Sequence, residues 1–423
     1  MSVLLETEIA TIAPDWRIEP LEKVCEPPQY GFTASAEEQG NVRLLRITDI
    51  TNSGVKWPTV PFCECPTDLL NKYLLASGDI VFARIGATTG KSYLITNPPP
   101  CVFASYLIRV RAKSDIDPMF LSQFFQSVAY WRQVDAQKNA NLKKGVSGSL
   151  LKTLIVPVPP LAEQRKIAEV LGLVQRAMEQ QKRLIALTAE LKKTLLHQLF
   201  SQGLRGEPQK QTEIGPVPQS WEVVKLQDIC ALISGGTPSK QNPEYWSGLI
   251  PWVSPKDMKR PRLSDVVDHI SDAALKDGSS LAPAGAIFVV IRGMILAKDI
   301  PVALAEGPMA FNQDMKAIVP GPRVDSSFLL YALIAFKQLL FQKVGRSAHG
   351  TMTLMSSELS QFAIPLPDKS TQRKVADAIE TVERKHEQHQ RKHAALMALF
   401  RTLLHQLMTA QIRVHDVDLP ELA

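Results

Sequence analysis

Residues 155–204 and 364–412 are two versions of one sequence, and any fold of this chain has to accommodate both. The first opens on Val156-Pro157-Val158-Pro159, passes Gln164-Arg165-Lys166 and ends on Leu195-Leu196-His197-Gln198-Leu199. The second opens on Ile364-Pro365-Leu366-Pro367, passes Gln372-Arg373-Lys374 and ends on Leu403-Leu404-His405-Gln406-Leu407. Gln164 to Gln372 and Leu195 to Leu403 are the same separation, 208 residues, so no insertion lies between the two anchors. Both copies are rich in Leu, Ala, Gln, Lys, Arg and Glu, which lose little free energy on becoming helical, and only Gly172 interrupts residues 161–202 and 368–410. Each copy is therefore expected to be one long helix, about 41 residues at 1.5 Å each, a rod of roughly 60 Å.

The second copy places Val375, Ile379, Val382, His386, His389, His393, Leu396, Phe400, Leu403 and Leu407 on the alternating four-three spacing of a coiled-coil seam. The aligned positions of the first are Ile167, Leu171, Val174, Met178, Gln181, Ile185, Thr188, Lys192, Leu195 and Leu199, again apolar at both ends and mixed between. A stripe that narrow is marginal alone in water, and the simplest partner for each helix is the other. Two such rods alternating with two larger blocks hold two similar objects a set distance apart.

The larger blocks repeat as well. Pro14-Asp15-Trp16 with Leu21 and Val24-Cys25 matches Gln219-Ser220-Trp221 with Leu226 and Ile229-Cys230. A strand ending in an acidic turn follows, Leu44 to Asp49 against Ile250 to Asp257. Gly78-Asp79-Ile80-Val81-Phe82 and Gly285-Ala286-Ile287-Phe288-Val289-Val290 then read as buried strands entered by a tight turn, leading to Arg84 with Gly86 and Arg292 with Gly293. Further strands are expected at Tyr106 to Val110 and Met315 to Val319, and short helices at Pro118 to Ala129 and Ser326 to Phe341. Polar loops, Lys138 to Gly145 and Lys343 to Thr351, precede the Pro-x-Pro that stops a strand and launches each rod. Residues 203–219, with three prolines and three glycines, read as a linker. The expected organisation is a domain at 1–156, a rod at 157–202, a linker at 203–219, a domain at 220–364, a rod at 365–412 and a tail at 413–423. The fold class is α+β: two mixed α/β domains separated by two long antiparallel coiled-coil helices.

At 423 residues the chain has room for two domains with their own cores. A net charge of +6 permits an anionic partner without requiring one. The five cysteines, Cys25, Cys63, Cys65, Cys101 and Cys230, form neither a disulfide framework nor a zinc ribbon. Glu6 and Glu8 stand where a signal peptide needs basic residues, and the longest apolar run, Phe328 to Phe336, is too short to span a bilayer. A soluble, cytoplasmic protein is expected.

Signals of catalysis fail on inspection. Gly86-Ala87-Thr88-Thr89-Gly90-Lys91-Ser92 has three residues between its glycines where a phosphate-cradling loop needs four, and reads as a glycine-rich turn. Asn97-Pro98-Pro99-Pro100 lacks the aromatic residue that would stack on a base under methylation, and reads as a loop. His386, His389 and His393 share a helical stripe, but polar groups inside a seam serve register more often than metal binding. His197 and His405, near the carboxyl ends of their helices, suit the helix dipole. No cofactor, metal site or catalytic residue is expected.

Two tryptophan-led domains, each followed by Pro-x-Pro and a helix bearing Glu163-Gln164-Arg165-Lys166-Ile167 or Thr371-Gln372-Arg373-Lys374-Val375, resemble the specificity subunit of type I restriction-modification systems. The resemblance covers nearly the whole chain; the second copy departs from it in carrying Thr371 where the family pattern has Glu. It implies a DNA-reading subunit without an active site, whose two target recognition domains each read one half of a bipartite, non-palindromic site in double-stranded DNA. It further implies that the antiparallel helices set the gap, that two methyltransferase subunits dock on them, and that motor and nuclease subunits join that core. A fused ATPase using residues 86–92, a methyltransferase using Asn97 and a coiled-coil scaffold are the competing readings. Base and phosphate contacts call for forked and cationic side chains on loops after strands. The candidates are Arg84, Lys91, Lys138, Asn141, Lys143 and Lys144 in the first domain and Lys256, Lys259, Arg260, Arg292, Arg346 and His349 in the second.

Overall fold

Both rods form as uninterrupted α-helices, Leu161–Gln202 and Lys369–Met408. The computed structural model describes residues 13–51, 54–140, 145–346 and 350–414, and among them no helix is long and apolar enough to cross a membrane. The chain divides into two units, one made of residues 1–183 with 389–423, the other of residues 184–388. Each unit thus holds the beginning of one rod and the end of the other.

In the first unit, Arg17–Pro20 pairs antiparallel with Ile155–Val158, tying the start of the domain to the strand that feeds the rod. A four-stranded sheet runs in the order Gln29–Tyr30, Leu107–Val110, Ile80–Ala83 and Ser92–Leu94. A three-stranded sheet carries Val42–Leu45 between Phe62–Cys63 and Cys101–Phe103, parallel to the latter. Ile80 and Phe82 face a core of Phe120, Phe124 and Tyr130, whereas Val81 between them faces Leu45 and Phe103. That alternation explains why the strand reads as a continuous apolar run: both of its faces are covered. Gly78 enters it at φ +94°, a left-handed conformation that glycine adopts without the Cβ penalty, and Gly285 does the same at +82° in the second unit.

The second unit repeats the plan. Glu222–Lys225 pairs with Ala363–Leu366. A five-stranded sheet runs Cys230–Ser234, Met315–Pro320, Ile287–Val290, Val302–Ala305 and Arg262–Leu263, and a four-stranded sheet holds Ile250–Val253 parallel to Met309–Phe311. The fifth strand, Arg262–Leu263, covers an edge that Ser92–Leu94 leaves bare among the described residues of the first unit.

The rods complete the domain cores. Ile167 and Leu171 from the start of the first rod, with Phe400, Leu404, Leu407 and Met408 from the end of the second, are buried in one core with Trp16 and Phe82. Val375, Ile379, Leu196, Leu199 and Phe200 do likewise with Trp221 and Phe288. At about 1.5–3 kcal/mol for each large side chain taken from water, the four residues that the second rod sends into the first core contribute roughly 6–12 kcal/mol as an upper estimate. That is comparable with the roughly 5–15 kcal/mol net stability of a typical domain.

Several local expectations are revised. The helix foreseen over Pro118 to Ala129 is two helices, Pro118–Phe124 and Val128–Ala140, so Lys138 lies in a helix and not in a loop. Pro157 and Pro365 lie inside their strands; each strand has one partner among the described residues, and an edge tolerates a missing N–H. The linker is a β-hairpin, Gln209–Thr212 with Gly215–Pro218, whose Ile214 and Val217 pack against Ala363. Asp368 caps the second rod by accepting from the N–H groups of Ser370 and Thr371 at 2.9 and 3.1 Å and from the Thr371 hydroxyl at 2.6 Å.

One buried residue fixes each rod to its domain. Gln164 donates to the carbonyls of Pro159 and Asp115 at 2.8 and 3.1 Å and accepts from the Asp117 N–H at 2.8 Å. Gln372 donates to Pro367 and Arg323 at 2.8 and 3.1 Å and accepts from the Asp325 N–H at 2.8 Å. Replacing either with leucine removes the partner of one buried and two partly buried backbone groups, and leaving a buried group unsatisfied costs about 1–3 kcal/mol. Gln164→Leu and Gln372→Leu are each expected to lower stability by about 2–4 kcal/mol in urea unfolding, with the Asp117 or Asp325 amide exchanging faster in the matching variant. Wild-type unfolding of either variant would refute that role.

Candidate nucleic-acid interface

Arg84 and Arg292 occupy the same place in the two units, at the end of the central strand, 208 residues apart in the sequence. Arg84 is exposed, its guanidinium 5.1 Å from the centre of the Tyr30 ring; its N–H donates to Tyr106 O at 3.0 Å and its carbonyl accepts from Val146 at 3.0 Å. Tyr106 and Ile85 beside it are 56% and 41% exposed, which sets apolar surface against a cation. Arg292 is exposed next to Met294 and bridges to Thr353. Arg346 pairs with Met352 in the same short hairpin, so the fold brings these two nominated arginines to one place. Met294 and Met355 there are both 64% exposed. Cations flanked by apolar and aromatic side chains can meet phosphate and base together, a combination one charged residue does not provide.

Lys256, Lys259 and Arg260 share one exposed turn after the strand Ile250–Val253. Asp257 shapes that turn by accepting from the Ser254 N–H and hydroxyl at 2.9 and 2.8 Å. Lys256 is not a free charge: it donates to Asp268 at 2.6 Å, and that hydrogen bond holds its ammonium above the usual lysine value. A phosphate would have to compete with Asp268 for it. Lys91 is exposed at the far end of the turn after Ile80–Ala83. In that turn Thr89 N–H donates to Gly86 O and Gly90 N–H to Ala83 O at 3.2 and 2.9 Å, so these amides serve the hairpin and not a phosphate.

Lys138 falls in the helix Val128–Ala140 and its side chain lies outside the described residues, as do Asn141, Lys143, Lys144 and His349. Tyr30, Tyr106, Met294 and Met355 escape a search for charge on loops. Their only signal is exposure beside a cation, which appears once the chain is folded.

Among the seam residues, Ile167, Leu171, Val174, Leu199, Val375, Ile379, Phe400 and Leu407 are buried, while Met178, Leu195, Val382, Leu396 and Leu403 are half-buried. Leu196, Phe200, Leu404 and Met408, off the nominated seam, are buried too, because each rod end meets its domain as well as a helix. Toward the middle the contacts turn polar. In the first unit His389 Nδ1 lies 2.8 Å from Gln181 Oε1, its own counterpart in the repeat. In the second, His386 Nδ1 lies 2.9 Å from Thr188 Oγ1, and Lys192 pairs with Glu383. Descending numbers on one helix meet ascending numbers on the other within each unit, so the segments run antiparallel.

One end of the first unit differs from its counterpart. Glu163 accepts from Trp16 Nε1 at 3.1 Å and from Arg413 at 2.7 and 2.8 Å, and Arg413 reaches Asp15 at 2.7 and 2.9 Å. The matching positions in the second unit are Thr371 for Glu163, Arg205 for Arg413 and Ser220 for Asp15. Thr371 instead joins the Asp368 cap.

The family described as the type I restriction modification DNA specificity domain matches residues 15–189 and again residues 218–397. The chain is similar to the type I restriction enzyme EcoR124I/EcoR124II specificity subunit of Escherichia coli, 32% identical over 157 residues, 37% of this chain and 39% of that protein. It is also similar to the MjaIX specificity subunit of Methanocaldococcus jannaschii, 32% identical over 215 residues and 48% of each chain. The matched stretch is thus less than half of either relative. The crystal structure of the type I restriction-modification system S subunit from M. genitalium shares the fold, with a TM-score of 0.62 at 15% identity, covering 94% of this chain and 96% of that one. Two matches, each taking in a domain and part of the rod that follows it, together span most of the sequence, and the chain belongs to the type I restriction-modification DNA specificity family.

Proposed function

We propose that this chain is the non-catalytic DNA-reading subunit of a type I restriction-modification assembly. Each unit reads one half of a bipartite, non-palindromic target, and the rods set the unread gap. Two methyltransferase subunits dock on the rods, and motor and nuclease subunits join through them. The observation that carries this reading is the repeated frame with unlike ends. The glutamine anchors, the strand pairs and the parallel strands recur, while the residues around Arg84 differ from those around Arg292. A shared scaffold presenting two different polar surfaces is what a two-part, asymmetric target requires.

The rods also offer matching exposed surface. In the second unit Leu187 and Leu191 are 61% and 52% exposed on one helical face; in the first, Leu399, the counterpart of Leu191, is 46% exposed beside exposed Ala395. Leucines spaced by four on a helix surface make the apolar patch that another helix covers. Leu399→Asp is expected to reduce the bound methyltransferase from two copies to one per chain in native mass spectrometry, with the melting temperature of the chain unchanged. Two retained copies would remove the assignment.

Exchanging residues 16–156 for the domain of a relative is expected to change one half of the methylated motif read from genomic DNA and leave the other half as it was. A change in both halves would contradict independent reading. For direct contact, Arg292→Ala with Arg346→Ala is expected to weaken DNA binding by the assembled complex and to lower the slope of log affinity against log salt by about 2, roughly one for each phosphate no longer neutralised. An unchanged slope and affinity would take both residues off the interface.

A further inference from the structure

A cleft of about 530 Å³ opens in the first unit between the edge strand Ser92–Leu94, the helix Pro118–Phe124 and the first rod. Three carboxamides, Gln123, Gln126 and Gln175, line it together with Lys91, Tyr93 and Trp131. Gln175 donates to Gln126 Oε1 at 3.3 Å, and Gln126 donates to Ser122 O at 3.3 Å. Gln123 is 1% exposed and donates to Ala168 O at 3.1 Å and to Gln175 Oε1 at 3.4 Å, which fixes the orientation of its amide. Its Oε1 is then a buried acceptor with no donor among the described residues. Leaving such an atom unsatisfied costs about 1–3 kcal/mol, so it favours a donor from outside the described residues, a water or a guest.

The repeat shows how the same place is closed in the second unit. Tyr331 stands for Gln123, Glu383 for Gln175, Ser327 for Met119 and Glu380 for Gly172, all 208 residues apart. There Arg262, on the extra strand, donates to Ser327 at 2.8 Å and to Glu380, and Tyr331 donates to Glu383 at 2.5 Å. The first unit has Gly54 at the position of Arg262 and no carboxylate among the described residues that line its cleft. A cationic guest would find no counter-charge, and Lys91 would repel it. The guest that fits is planar, carries an N–H donor and is neutral or anionic.

We infer that this cleft binds a nucleotide whose base carries an exocyclic amine: the amine donates to Gln123 Oε1, the ring lies against Trp131, and the phosphate meets Lys91. Two sources share this chemistry, a free nucleotide and a base extruded from bound DNA.

Calorimetric titration of the full chain with AMP tests the inference without depending on which DNA sequence is read. Saturable binding is expected, weakened at least about tenfold when AMP is replaced by purine riboside 5′-monophosphate, which lacks the amine. Gln123→Leu is expected to weaken AMP to the level of that analogue while leaving the analogue itself unchanged, a comparison that a misfolded variant would fail. Lys91→Ala is expected to weaken AMP and spare adenosine. Displacement of AMP by a duplex with one bulged adenine, and not by the fully paired duplex, assigns the cleft to an extruded base; displacement by neither assigns it to a free nucleotide. Absence of saturable AMP binding, equal affinity for the two nucleotides, or AMP binding unaffected by Gln123→Leu overturns the inference.

Discussion

In each unit one buried carboxamide ties the rod to its domain. Gln164 and Gln372 each tie together the end of the strand that feeds a rod, the segment after the sheet, and the N-terminus of the helix capped by Asp117 or Asp325. A carboxamide suits that junction because it offers two donors and an acceptor in one plane, matching two carbonyls and one N–H, of which the Pro159 or Pro367 carbonyl is buried. The direction of the rod as it leaves the domain is thereby set by hydrogen-bond geometry. Apolar packing of Ile167, Leu171, Val375 and Ile379 adds energy to the same orientation.

Around that fixed junction the two halves diverge where divergence disturbs little. Strand ends and surface turns tolerate change because few buried contacts depend on them. The first unit gathers polar side chains in a terminal cluster of Trp16, Glu163, Arg413 and Asp15; the second places Arg262, Glu380, Tyr331 and Glu383 against its rod. Both arrangements bring a cation to a carboxylate at a domain–helix seam, yet at different positions on the same frame.

The sequence is most informative where a periodicity or an offset is strict. The rods, the buried central strands with Gly78 and Gly285 at their entry, and the pairing of tryptophan-led segments follow from spacing alone. The break at Phe125–Ser127 does not, because it depends on ring packing among Phe124, Phe125 and Tyr130 that local propensity cannot register. The hairpin at 209–218 is likewise hidden: its composition is that of a linker, and its order comes from Ile214 and Val217 finding Ala363. Among the nominated candidates, the exposed positions of Arg84, Arg292 and Arg346 at or beside strand ends were reachable by asking which cations follow strands. The pairing of Lys256 with Asp268 was not, since the two carry no sequence pattern that marks them as neighbours.

The division of the rods between units bears on how the protein is made. The second unit is one continuous segment, residues 184–388, and holds every residue of its core by the time that segment has left the ribosome. The first unit begins earlier but is closed by Phe400, Leu404, Leu407 and Arg413, so its apolar face stays open until those residues have left the ribosome. Of the two units, the first is therefore the later to have all its core residues available. During translation it is the part of the nascent chain with the longest exposure to chaperones, proteases and wrong partners.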